Sequence, residues 1–158
     1  MTDTADRSVL VTGANSGIGL ATVLELARRG YRAIGSVRSP AKAAIVRNAA
    51  DEAGVDVQTV ELDVSDADAC EEIVPGLGLW GLVNNAGYAV TGAIEDVDDA
   101  EAHALFEVMV HAPMRLARLA LPSMRAQGGG RIVNVSSIAG LVTMPFGGHY
   151  TAAKHALE

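Results

Sequence analysis

Tyr150 and Lys154 stand four positions apart, a spacing that puts both side chains on one face of a helix. A phenol titrates near ~10 when unperturbed, so it exchanges protons poorly at neutral pH. An ammonium one turn away favours the phenolate, and the pair therefore suits general acid–base chemistry, which contributes about 10²–10⁴-fold to a rate. The second group is Thr12-Gly13-Ala14-Asn15-Ser16-Gly17-Ile18-Gly19. It follows the β-branched run Val9-Leu10-Val11 and opens a helical pattern, a junction at which the first amides of a helix hold phosphate. Gly13 permits the turn off the strand, Gly17 lets a pyrophosphate approach the backbone, and Gly19 lets the helix pack on the sheet. The spacing is Gly-x-x-x-Gly-x-Gly rather than GxGxxG, the commoner dinucleotide fingerprint.

The elements that must position these groups alternate strand and helix, the pattern of βαβ units on a parallel sheet. After the glycine loop a helix is expected to about Arg29, ending at Gly30, and a second strand over Arg32 to Val37. Ser39-Pro40 reads as a helix start and Gly54 as its end. A third strand is expected over Val55 to Leu62, then a short acidic helix opened by Ser65 to Asp68. A fourth strand, Leu79 to Val83, runs into Asn84-Asn85-Ala86-Gly87. From Asp98 to Arg125, Leu105, Val108, Met109, Ala112, Leu116 and Leu119 recur at helical spacing, and Pro113 predicts a kink. Ile132 to Val135 is nearly all apolar, as in a strand buried on both faces. Tyr150 begins a last helix.

Composition excludes several classes of function. Among 158 residues, 12 Lys and Arg face 19 Asp and Glu, a net charge of −7, so a nucleic-acid backbone is a poor partner. A hydrophobic content of 49% fits one globular domain over residues 1–158. The single cysteine, Cys70, cannot form an internal disulfide and is expected to be an inert, partly buried thiol. No apolar run reaches the ~18 residues of a membrane span. The polar start, with Asp3 and Asp6, lacks the order of a secretory signal, which makes a cytoplasmic location the expectation. The four histidines show no metal-ligand spacing, and no metal is expected.

Four motifs in order, TGxxxGIG, Asn84-Asn85-Ala86-Gly87, Asn134-Val135-Ser136-Ser137 and Tyr150-x-x-x-Lys154, resemble the short-chain dehydrogenase/reductase family through essentially the whole chain. That resemblance implies a Rossmann-type α/β fold, a doubly wound parallel sheet with helices on both faces. It implies Ser137, Tyr150 and Lys154 as catalytic residues, Ser137 lying at the family's spacing before the tyrosine. For cofactor binding it implies Gly13, Asn15, Ser16, Gly17, Ile18, Gly19, Arg38, Asp63, Val64, Asn84, Ala86 and Gly87, with Tyr150 and Lys154 at the nicotinamide end. Asp63 and Val64 would contact adenine, and Asn84 and Gly87 would line the channel to the nicotinamide. The second strand ends in Ser36-Val37-Arg38 without the acid that would accept from a ribose 2′-hydroxyl. Arg pairs with a 2′-phosphate, so NADP is expected over NAD. The implied reaction is reversible hydride transfer between NADPH and a small-molecule carbonyl or alcohol, Tyr150 protonating the oxygen. Met144, Phe146 and His149 point to an apolar substrate. A homodimer or homotetramer is implied, with Leu116 and Leu119 at a seam between subunits.

Two departures from the family bear on these expectations. Met109 occupies the place of an Asn that helps hold a water in the family's proton relay, and a thioether cannot donate; the alternative reading is a cofactor-binding module or a catalytically impaired relative. The family's sheet continues through a sixth and seventh strand, whereas 158 residues stop soon after Lys154. The chain is therefore expected to be truncated after the fifth strand and the start of the YxxxK helix, a piece of a longer protein with its fifth strand at a sheet edge.

Overall fold

A computed structural model describes residues 4–158; Asp3 of the polar start lies outside the described residues. Strands β1 (Ser8–Val11), β2 (Arg32–Val37), β3 (Gln58–Glu61), β4 (Leu79–Asn84) and β5 (Arg131–Asn134) make one sheet in the order β3-β2-β1-β4-β5. All four pairings are parallel. Helices α1 (Gly17–Arg28), α2 (Pro40–Ala53), α3 (Ala67–Ile73), α4 (Asp99–Phe106), α5 (Ala112–Ala126) and α6 (Gly148–Leu157) connect or follow them. The chain winds outward from β1 to β3, then crosses to the other side of β1 to lay down β4. The strand order thus reverses between β1 and β4, the place where open α/β sheets bind ligands beyond the carboxyl ends of their strands. This is the expected Rossmann-type architecture.

Strand alternation builds a core on each face of the sheet. Val9 and Val11 of β1 pack with Val23 of α1 and Val46 of α2. Leu10, between them, packs with Leu82 of β4 and Leu116 of α5 on the opposite face. Each such buried side chain stabilises the fold by roughly 1.5–3 kcal/mol.

Several boundaries differ from expectation for local reasons. The Val55 amide donates back to the Ala50 carbonyl at 3.0 Å, closing the last turn of α2, so β3 begins only at Gln58, opposite Ile34. Asp66 rather than Ser65 caps α3, accepting from the Ala69 amide at 3.0 Å. The helix expected from Asp98 to Arg125 with a kink at Pro113 is instead interrupted just before that proline by a π turn, Glu107–His111, between α4 and α5. Pro113 has no N–H to give the Met109 carbonyl. The Ala112 amide instead donates to Glu107, five residues back, which is the π pattern.

Two expectations about exposure are corrected. Leu116, expected at a subunit seam, is 1% exposed inside the core. Strand β5 pairs only with β4 at the sheet edge, where it was expected, but it is not buried on both faces as its apolar sequence suggested. All four of its residues are exposed, Val133 to 51%.

Candidate active site

Loops from the two strands flanking the switch point are tied together. Thr12 Oγ1 accepts from the amides of Asn85 and Ala86, both at 2.9 Å. Asn85 Nδ2 donates to the carbonyls of Thr12 at 2.8 Å and Gly13 at 3.3 Å. Asn85 was not singled out from the sequence; its position inside the Asn84–Gly87 motif was the available signal. Gly19 sits against this knot. A Cβ there would overlap the Gly13 carbonyl and lie 2.5 Å from Asn85 Nδ2, so Gly19 serves the close approach of α1 and lies outside the cleft lining. Gly17, with φ 51° and open space around it, supplies the left-handed turn into α1.

Helix α1 begins without a side-chain cap at Ser16, whereas Ser39, Asp66 and Asp98 each cap the helix they precede. The first-turn amides of α1 are therefore left to satisfy an anion or water. They face a cleft of about 630 Å³ whose floor is Gly13, Asn15, Ser16, Gly17 and Ile18. Arg38, Lys42, Asp63, Val64, Ala86, Gly87, Tyr88 and Val108 also line it. Ten of the expected cofactor-binding residues thus meet in one cavity. Lys42 was missed, although it falls in the first turn of the helix that Arg38 precedes. The Asp63 carboxylate accepts from the Ser65 amide at 3.0 Å and hydroxyl at 2.7 Å. Burial pushes its pKa up, but these bonds together with Arg38 and Lys42 outweigh burial and hold it below the usual carboxylate value.

Asn84, expected in the channel, is instead 4% exposed. Its Nδ2 donates to Asn134 Oδ1 at 2.9 Å, pinning β4 to β5, and it does not line the cleft.

The catalytic candidates cluster where β5 ends and α6 begins, beside the cleft rather than in its lining. Lys154 is 7% exposed and its Nζ donates to the Val135 carbonyl at 2.7 Å. The ammonium lies 5.8 Å from the centre of the Tyr150 ring. Burial lowers the Lys154 pKa, against a smaller upward pull from Glu158. Ser137 Oγ accepts from the Ala139 amide at 3.2 Å. Among the described residues, no hydrogen bond joins Ser137, Tyr150 and Lys154 to one another. Met109, 2% exposed, packs with Val90, Leu105, Ala153 and Tyr150 and against Gly87; His111, two residues on, is exposed.

A smaller cavity of about 200 Å³ adjoins Tyr150 in sequence, lined by Val90, Ile94, Val97, Met144, Phe146 and His149 among others. The Gly92 amide donates to the Phe146 carbonyl at 2.9 Å. That bond joins the two walls and supports Phe146 at φ 60°, a conformation costly for a residue with a side chain. No helix among the described residues is long and apolar enough to cross a membrane.

A family model described as short chain dehydrogenase matches residues 7–158. The chain is 38% identical over 154 residues to the "Probable short-chain type dehydrogenase/reductase VdlC" of Helicobacter pylori, covering 94% of this chain and 55% of that protein. Among solved structures, a short-chain dehydrogenase from Streptomyces avermitilis superposes with a TM-score of 0.89 at 33% identity, over 99% of this chain and 58% of that one. A metagenomic short-chain oxidoreductase in complex with NADP does so with a TM-score of 0.89 at 34% identity, over 96% and 71%. The chain spans about half the length of the curated relatives it matches.

Proposed function

This chain belongs to the short chain dehydrogenase family, and from that premise we propose that it is an NADP-dependent oxidoreductase moving a hydride between NADPH and a carbonyl or alcohol. The observation that carries the reading is the uncapped start of α1 facing the same cleft as Arg38 and Lys42. The amides of Gly17 and Ile18 suit a pyrophosphate. Two cations without an acid at the end of β2 suit a 2′-phosphate better than a free hydroxyl. Asp63 and Val64 would border the adenine, and Ala86 and Gly87 would lead toward the nicotinamide.

When bound, the reduced nicotinamide supplies the hydride. Tyr150 gives its hydroxyl proton to the substrate oxygen in reduction and takes it back in oxidation, while the Ser137 hydroxyl holds that oxygen in place. Lys154 has three N–H bonds, one of them committed to the Val135 carbonyl, and the others are free to hold the nicotinamide ribose. The cavity lined by Val90, Ile94, Met144 and Phe146 suits an apolar substrate, with His149 its one ionisable lining group. We read residues 1–158 as one dinucleotide-binding domain of a cytoplasmic homodimer or homotetramer.

Fluorescence titration with NADPH and NADH tests the cofactor assignment. Arg38→Asp should weaken NADPH binding far more than NADH binding, and equal losses would discard it. Oxidation of NADPH over a panel of ketones and aldehydes tests the activity; cofactor retained without turnover would mark a binding module instead.

A further inference from the structure

The Asp63–Val64 segment is held by a side chain that is not itself part of the cleft lining. Arg115 of α5 has a side chain only 14% exposed; its Nη2 donates to Glu107 Oε1 at 2.6 Å and its Nη1 to the Val64 carbonyl at 3.1 Å. In an unbroken α-helix, residues eight apart point about 80° away from each other, since each adds ~100°. The π turn absorbs one residue, so eight residues take the angular room of seven, which falls within about 20° of two full turns. The Pro113 interruption thus brings Glu107 and Arg115 onto one face, aimed at the loop after β3.

We propose that Arg115 is a positioning residue for the nucleotide cleft, a strut braced on Glu107 that holds the Val64 carbonyl and with it the adenine-side wall. This rests on the reading of the cleft as a nucleotide site. The loop's other ties include the Leu62 amide donating to Val37 at 2.8 Å and the Asp66 amide to the Asp63 carbonyl at 3.1 Å, the Cys70 thiol to that same carbonyl, and the Asp63 carboxylate closing on Ser65; none of these bonds reaches the Val64 carbonyl. Apart from Arg115, the Val64 carbonyl has among the described residues only the weak thiol donor of buried Cys70, at 3.6 Å. Removing the guanidinium leaves that carbonyl without a charged donor and Glu107 partly buried without a partner.

The test uses the 158-residue chain with adenosine 2′,5′-bisphosphate and reduced nicotinamide mononucleotide as separate probes, and amide hydrogen exchange as a readout needing no ligand. In Arg115→Ala, exchange at Ser65 and Asp66 should rise about tenfold while β1 and β4 stay unchanged, and bisphosphate affinity should fall about tenfold, equivalent to about 1.4 kcal/mol. Affinity for the mononucleotide should not move. Arg115→Lys keeps the charge but lacks the fork that spans both acceptors, and should follow Arg115→Ala; Glu107→Gln keeps an acceptor and should lose less. A uniform rise in exchange across the sheet, or an unchanged bisphosphate affinity, overturns the proposal. If the unsubstituted chain binds no bisphosphate, the nucleotide reading falls and the positioning role with it; if it binds and Arg115→Ala binds equally, only the positioning role falls.

Discussion

Lys154 carries the clearest electrostatic consequence at the scale of single residues. Its folded pKa lies below the ordinary lysine value of 10.5 because burial disfavours the ammonium. Between those two values the unfolded chain binds more protons than the folded one, so stability rises with pH across that window. Relative to Lys154→Met, the unsubstituted chain should therefore gain stability as the pH is raised from 7 toward 10, as read from paired urea unfolding curves. A pH-independent difference would show that burial leaves this ammonium unaffected. Tyr150, Lys154 and the glycine loop were legible because their chemistry follows from short covalent spacing. Asn85 and Lys42 were not, because the groups that give them meaning, Thr12 and Asp63, are separated from them by long stretches of chain and are met only on folding.

Helix starts make a direct comparison at the scale of elements. Ser39 accepts from the Lys42 amide at 3.4 Å, whereas Ser16, in an equally extended conformation, makes no cap bond. Ser39→Ala should cost about 1 kcal/mol in chemical denaturation and Ser16→Ala close to nothing, since a cap bond is worth roughly 0.5–2 kcal/mol. Equal costs would mean that Ser16 caps α1 in solution and that its amides are not reserved for a ligand. The cap at Ser39 was readable from Ser-Pro alone. The π turn was not: Pro113 announced a disturbance, but whether a proline produces a kink, a break or an extra residue in the turn depends on what the neighbouring turns pack against. Here Leu105 and Met109 on one side and Leu116 on the other are almost wholly buried.

Across the whole molecule, the reversal of strand order between β1 and β4 places the cleft, and β5 forms one rim of the sheet. Val133 is 51% exposed on an edge strand, a surface prone to pairing with other chains. Val133→Lys should reduce concentration-dependent association in sedimentation runs while leaving the unfolding free energy within about 0.5 kcal/mol, as for substitutions away from the core. Undiminished association would place the contact elsewhere. The sequence by itself determined the βαβ alternation, the Ser39 cap, the glycine loop and the Tyr-Lys pair, because each is a matter of local backbone preference or of neighbours within a few residues. Only the tertiary structure decided that Asn84 pins two strands instead of lining a channel, that Leu116 is core instead of seam, and that Glu107 and Arg115 brace the loop after β3. Burial and hydrogen-bond partnership are properties of groups brought together from distant parts of the chain, and no local pattern encodes which ones will meet.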